Sequence, residues 1–286
     1  MLLLLVGAQM ACSVKFAYNN MDRYIRWQVN DYLDLDTSQR AYFSQELDAL
    51  IRWHRITHLP QYAAYIDSLS VQFSDGVSEA QIAAMFAQFL LWGDEIEQRG
   101  LPIAITLMRS LTDAQVAQLP ERLEQSNVEL AEDEAALSLA DAQAQWADDF
   151  ADVMARFTGR LERDQKAYLR RRAMAYQPEM ALWAEYRRRW QADLLKVLAY
   201  RDEPRFAADF RALAAARESY YGPEYTAINN ANIALSRELA SHLLSNLNER
   251  QARRMQKTLS ELARDLAELA DPQRSRGEKV EAAAGA

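Results

Sequence analysis

Side chains that could carry out chemistry are few in this sequence, which holds three histidines and one cysteine in 286 residues. His54 and His58 lie four residues apart, the spacing of two zinc ligands on one helical face. However, Arg55 follows His54 where a zinc hydrolase would need a glutamate as general base, and no third ligand is evident. Because Leu47 and Ile51 share their face, we expect the two histidines to be packing residues and predict no metal site.

Other catalytic patterns are also missing from the sequence. It contains no Gly-x-Ser-x-Gly, no glycine-rich phosphate loop, no dinucleotide fingerprint and no Glu-x-x-His of helical di-metal sites. Acidic pairs are so numerous that their spacing does not indicate general acid–base chemistry. We therefore predict no catalytic residue, no cofactor and no enzyme activity.

The only cysteine, Cys12, ends an apolar leader. Residues 1–11, MLLLLVGAQMA, are too short to span a bilayer, which takes about 20 residues, but fit a secretory signal. With Ala11 before Cys12 the arrangement resembles a bacterial lipobox, although Gln9 stands where a lipobox usually has Leu. In a lipobox the cysteine is acylated, with palmitate for example, and becomes the new N-terminus. Ser13, where Asp would resemble an inner-membrane retention signal, suggests the outer membrane and its periplasmic face.

The departure at Gln9 and one further feature of the leader leave an alternative open. No Lys or Arg precedes the apolar run, which a true start codon further upstream would explain. The alternative is an apolar N-terminus followed by an incidental thiol. A single cysteine allows no internal disulfide in either case. The net charge of −8 disfavours nucleic acid as a partner.

The elements that must position any site are helices. Glycine and proline are scarce, and helical periodicity is nearly continuous, so the sequence predicts an all-α bundle of eight to ten amphipathic helices with helical-hairpin repeats and no sheet. We expect Pro60 and Gly100-Leu101-Pro102 to interrupt helices. The predicted organisation is a signal peptide (1–11), a lipid-anchored linker (12–17), a helical domain (18–270) and a disordered tail (271–286).

Helix starts repeat one motif: an apolar residue, usually a capping residue, two variable residues and then Gln. Such a motif predicts a capping box with a hydrophobic staple. The predicted pairs are Asp36 with Gln39, Ser78 with Gln81, Thr112 with Gln115 and Asn248 with Gln251, and Glu162 with Gln165 forms a weaker copy.

Charge is segregated in the middle of the chain. Residues 121–152 are strongly acidic and residues 156–190 strongly basic. We favour a helical hairpin that turns near Thr158-Gly159, with its opposite charges attracting. The alternative is a basic surface that meets anionic lipid head groups or lipopolysaccharide.

The most distinctive stretch is FAYNNMDRYIRWQVNDYLDL, residues 16–35. It is rich in aromatic side chains that could form core or a binding surface. The candidate binding residues are Asn19, Asn20, Arg26, Trp27, Asp31 and Tyr32.

This stretch after Cys12 resembles bacterial lipoproteins of domain-of-unknown-function family 6279. The segments RWHRITHLPQYAAY, SLTDAQVAQL, RLERDQ and EYRRRWQADLL carry the same resemblance. It implies an envelope lipoprotein without an assigned activity and supplies no catalytic residues. A weaker likeness relates the caps to the L-T-x-x-Q motif of small periplasmic chaperones.

Two hypotheses of function follow. The first is a non-enzymatic lipoprotein whose partners are the membrane, through the anchor, and envelope proteins or unfolded polypeptides that it binds as a scaffold or chaperone. The second is a carrier or enzyme for a small ligand, with a pocket between helices near His54, His58 and Trp27.

Overall fold

The computed structural model describes residues 14–73, 76–135 and 137–271 and, within them, only helices and their connections. The elements are α1 (Val14–Leu33), α2 (Thr37–Gln72), α3 (Glu79–Arg109), α4 (Asp113–Ala135), α5 (Leu139–Thr158), α6 (Arg163–Ala173), α7 (Met180–Leu198), α8 (Phe206–Ala215), a 3-10 helix (Arg217–Tyr220), α9 (Pro223–Ser245) and α10 (Glu249–Ala270). The all-α prediction is confirmed, and ten described helices fall within the expected number.

The expected linker is partly helical, and most of the other expected terminal segments lie outside the described residues. Helix α1 begins at Val14, so residues 14–17 of the expected linker are helical. The leader, Cys12 and residues 272–286 lie outside the described residues. Among the helices that are described, none is both long and apolar enough to cross a membrane.

The expectation that prolines interrupt helices is wrong. Pro60 lies inside α2 and Pro102 inside α3. Proline removes one backbone hydrogen bond and costs about 3 kcal/mol in a helix interior. Fully burying one large apolar side chain returns about 1.5–3 kcal/mol, and Leu59 and Ile105 are both buried beside these prolines. Tertiary packing therefore outweighs the local preference.

Three apolar clusters hold the bundle together. The first joins the end of α1 and α3 to α4, α7 and α8, and contains Leu198 and Phe206. The second packs α2 against α10 and contains Leu59 and Leu259. The third joins α5 and α6 to α9. The leucines of α10 thus cover the second half of α2, as expected for a helix packed along a seam.

The central charged region turns at Gly159, which ends α5 with a φ of +76° that favours glycine. Arg170 of α6 then lies 3.3 Å from Asp148 of α5, across the hairpin. Two other basic residues pair with neighbouring helices: Arg172 with Glu238 at 2.5 Å and Arg188 with Glu124 at 2.9 Å. Three of the ten Lys and Arg side chains of the basic segment are therefore paired with carboxylates of neighbouring helices.

Candidate functional site

The capping glutamines do more than cap their own helices. Gln39 accepts from the N–H of Asp36 at 2.9 Å, and Gln115 accepts from the N–H of Thr112 at 2.8 Å. The two side chains also bond to each other, with Gln39 Nε2 donating to Gln115 Oε1 at 3.1 Å and Gln115 Nε2 donating to Gln39 Oε1 at 2.7 Å. Gln39 Nε2 also donates to the Ser110 carbonyl at 2.7 Å. We call such a mutually bonded pair a glutamine clasp.

A second glutamine clasp has the same pattern. Gln165 Nε2 donates to Gln251 Oε1 at 3.1 Å, and Gln251 Nε2 donates to Gln165 Oε1 at 2.9 Å. Each glutamine also donates to the chain that precedes the other helix, Gln165 to the Asn246 carbonyl and Gln251 to the Arg160 carbonyl. The two clasps fasten the starts of α2 and α4, and of α6 and α10, side by side.

The remaining capping box is isolated. Gln81 accepts from the N–H of Ser78 at 2.9 Å, and Ser78 accepts from the N–H of Gln81 at 3.2 Å. Within the described part of the chain, the Gln81 side chain bonds only to this cap. Gln81 therefore offers a natural comparison for the four clasped glutamines.

Three of the six candidate binding residues of α1 hold that helix in place. Arg26 lies 2.7 Å from both Asp22 and Asp48, and Asn19 accepts from Arg55 at 3.0 Å. Tyr32 donates to Ser126 Oγ at 2.6 Å. The others are placed differently: Asn20 donates to the Phe16 carbonyl, and Trp27 and Asp31 are exposed.

His54 and His58 lie in an aromatic cluster between α1, α2 and α3. Their rings stack with centroids 5.2 Å apart. Tyr18 Oη is 2.8 Å from His54 Nδ1, and the buried His58 has Nε2 3.0 Å from Glu95 Oε2. No group of three or more His, Cys, Asp or Glu side chains that could hold a metal occurs among the described residues.

This cluster predicts that the folded protein loses stability as the pH is lowered. Burial first, then the charges of His58 and Arg55, lowers the pKa of His54 to about 4. The unfolded chain binds a proton near pH 6.5, so the stabilisation is complete above that pH and is lost towards pH 4. At about 1.4 kcal/mol per pKa unit the loss amounts to roughly 3 kcal/mol. Urea unfolding measured from pH 4.5 to 7 gives the free energy of unfolding at each pH. This free energy should depend less on pH in His54→Gln than in the unaltered protein. An equal pH dependence would contradict the role of His54.

A groove opens at the edge of the first apolar cluster, between α3, α7 and α8. Each of α3 and α7 contributes four residues to the groove, and in each helix the four are spaced so that they lie on one face. The groove has a volume of about 460 Å³ and is lined by Glu97, Gly100, Leu101, Ala104, Trp183, Tyr186, Arg187, Trp190, Phe210, Ala214 and Arg217. We call it the aromatic groove.

A hydrogen bond and a ring contact hold the aromatic side chains of the groove in position. Trp190 Nε1 donates to the Leu213 carbonyl at 3.2 Å, and the rings of Trp183 and Tyr186 meet edge to face at 6.0 Å. Burial, and next the neighbouring Tyr221, raises the pKa of Tyr186 to about 12. The Tyr186 hydroxyl therefore stays protonated at neutral pH.

The two arginines of the groove differ in whether a carboxylate neutralises their charge. Arg217 forms an ion pair with Glu97 at 2.5 Å. Arg187 lies over the Trp183 ring at 5.2 Å and reaches Ser126 Oγ at 3.4 Å, and no carboxylate among the described residues pairs with it. Ser126 is also the acceptor for Tyr32, so α1 contacts the groove indirectly. The groove thus combines aromatic surface with one uncompensated positive charge.

Sequence reasoning placed a pocket near His54, His58 and Trp27, whereas the aromatic groove lies elsewhere. Helical spacing places Trp183, Tyr186 and Trp190 on one face of a helix, but this face was not predicted to be a site. Gly100 and Ala104 provide the missing signal, because such small residues cannot fill the space opposite tryptophans.

A family model described as "Family of unknown function (DUF6279)" matches residues 31–226. The chain belongs to this family. The DUF6279 match includes every residue of the aromatic groove and the first glutamine clasp, but not Gln251. No curated protein and no solved structure matches the chain.

Proposed function

We propose that this DUF6279 protein is a non-enzymatic lipoprotein, anchored through Cys12 on the periplasmic face of the outer membrane, that binds polypeptide segments in the aromatic groove. The groove is the observation that carries the binding proposal. Trp, Tyr and Arg are the residue types that dominate binding energy at protein interfaces, and all three converge there.

The charge of the groove indicates which segments it would bind. Arg187 lacks a carboxylate partner among the described residues, whereas Glu97 is neutralised by Arg217. A segment with apolar or aromatic side chains beside a carboxylate would complement both features, since arginine binds carboxylates through two parallel hydrogen bonds. Unfolded polypeptides expose such segments, which supports a chaperone-like or scaffold role.

A small-ligand carrier is the second candidate, favoured by the size of the groove. Its volume of about 460 Å³ lies within the range of about 300 to 1,000 Å³ typical of small-molecule pockets. A thermal-shift screen separates the two candidates. Stabilisation by a small molecule but not by acidic aromatic peptides would favour the carrier.

The anchoring half of the proposal predicts a complete loss in one variant. Cys12→Ser removes the only thiol that could be acylated, so we expect no palmitate incorporation and release of the protein from the membrane fraction. Metabolic labelling and membrane fractionation measure both. Ser13→Asp is the matched control, in which the lipid remains but the protein moves to the inner membrane. Equal palmitate incorporation by Cys12→Ser would contradict anchoring at this residue.

A further inference from the structure

One face of α1 exposes an unusual amount of aromatic surface. Phe16, Tyr24 and Trp27 are 58%, 50% and 59% exposed, respectively. At 3.6 residues per turn, Phe16, Arg23 and Trp27 lie within about 40° of one another and Tyr24 about 60° from Trp27. The face from Phe16 to Trp27 is about 16 Å long. We call these four residues the α1 aromatic face.

Ion pairs on the flank of α1 prevent this face from turning inward. Lys15 lies 2.5 Å from Glu268 and 3.1 Å from Asp265 of α10. Arg26 is tied to Asp48 of α2 at 2.7 Å. Contacts at both ends therefore hold α1 against α2 and α10, with the aromatic face towards solvent.

Among the four residues of the face, the one charged side chain is the positive Arg23. Arg23 reaches only Asn20 Oδ1, at 3.5 Å, and no carboxylate among the described residues pairs with it. Tryptophan and tyrosine concentrate at membrane–water interfaces, where arginine can bind lipid phosphates. The α1 aromatic face thus has the composition of an interfacial surface.

We propose that the α1 aromatic face lies on the lipid bilayer that holds the chain, with α1 parallel to the membrane. The inference rests on the proposed anchoring at Cys12. Phe16 follows Cys12 by four residues, so even an extended chain would place it within about 14 Å of the acylated sulfur.

The first test measures whether the face touches lipid. A fluorescent nitrobenzoxadiazole label is attached to Asn20→Cys on the face or to Ile56→Cys on α2, where Ile56 is also exposed. The lipidated chain is placed in vesicles of phosphatidylethanolamine and phosphatidylglycerol that contain a headgroup-level spin-labelled lipid. We expect at least twofold stronger quenching at position 20 than at position 56. Equal quenching at both would overturn the proposal.

The second test removes the lipid, so that the anchor and the face are judged separately. The chain from residue 12 onward with Cys12→Ser is sedimented with the same vesicles. Phe16→Ser, Tyr24→Ser and Trp27→Ser together should weaken binding at least fivefold, whereas Ile56→Ser with Met174→Ser should not, and thermal unfolding checks that all variants fold. Equal binding by the face and control variants would overturn the inference even if palmitate labels Cys12. Loss of binding in the face variant alone would support it even if palmitate does not.

Discussion

Gln251→Ala should lower the free energy of unfolding by about 3 kcal/mol, a large effect for one polar residue. Gln251 is 1% exposed, accepts from the N–H of Asn248 and donates to Gln165 and to the Arg160 carbonyl. Alanine removes the partner of the Asn248 N–H and of the Arg160 carbonyl, while Gln165 keeps its bonds to Glu162 and Asn246, and each buried unsatisfied group costs about 1–3 kcal/mol. Urea unfolding followed by circular dichroism measures the change.

Gln81→Ala is the matched control. It removes the same capping-box position from a helix start that is not part of a clasp. We expect about 1 kcal/mol, the usual contribution of a cap. A double-mutant cycle on Gln165→Ala and Gln251→Ala should give a coupling of about 1–2 kcal/mol. Additive effects, or equal losses in Gln81→Ala and Gln251→Ala, would contradict the clasp.

Trp183→Ala should weaken peptide binding about thirtyfold, or about 2 kcal/mol, the effect of a binding hot spot. Trp183 contributes aromatic surface to the groove and lies under the Arg187 guanidinium. The probe is a labelled ten-residue peptide with two aromatic residues beside an aspartate, and fluorescence anisotropy measures its affinity. Trp146→Ala, which removes a tryptophan stacked on Tyr176 outside the groove, should leave the affinity unchanged.

The arginine in the groove predicts a more selective change. Arg187→Gln should weaken binding of the aspartate peptide but not of the same peptide with asparagine, because only the carboxylate gains from the positive charge. Arg170→Gln removes an exposed arginine already paired with Asp148 and serves as the control. Equal losses for both peptides would show that Arg187 supports the groove structurally.

Local patterns in the sequence predicted the all-α fold and the capped helix starts, but not how the helices are arranged. Spacing alone places Gln251 three residues after Asn248, as a capping box requires. It cannot show that Gln251 meets Gln165, 86 residues earlier, or that Gln115 meets Gln39, 76 residues earlier. Such pairing depends on which helix starts become neighbours, and this is decided by tertiary packing.

The aromatic groove was missed for a related reason. Periodicity shows that Trp183, Tyr186 and Trp190 share a face but not whether a partner fills the space opposite. In the structure α3 brings Gly100 and Ala104 there, which leaves the space open. Pro60 shows the converse case, since a strong local signal for a helix end is overridden by burial of Leu59 and Ile66.

Photo-crosslinking of a defined peptide tests most directly whether the groove binds polypeptides. Benzoylphenylalanine replaces Leu101, a groove residue, or Ile56, an exposed residue of α2 outside it. Purified protein is irradiated with the labelled aspartate peptide. We predict adducts from position 101 whose yield Trp183→Ala lowers strongly, and none from position 56. Equal adduct yields at both positions, or none at position 101, would contradict a polypeptide-binding groove.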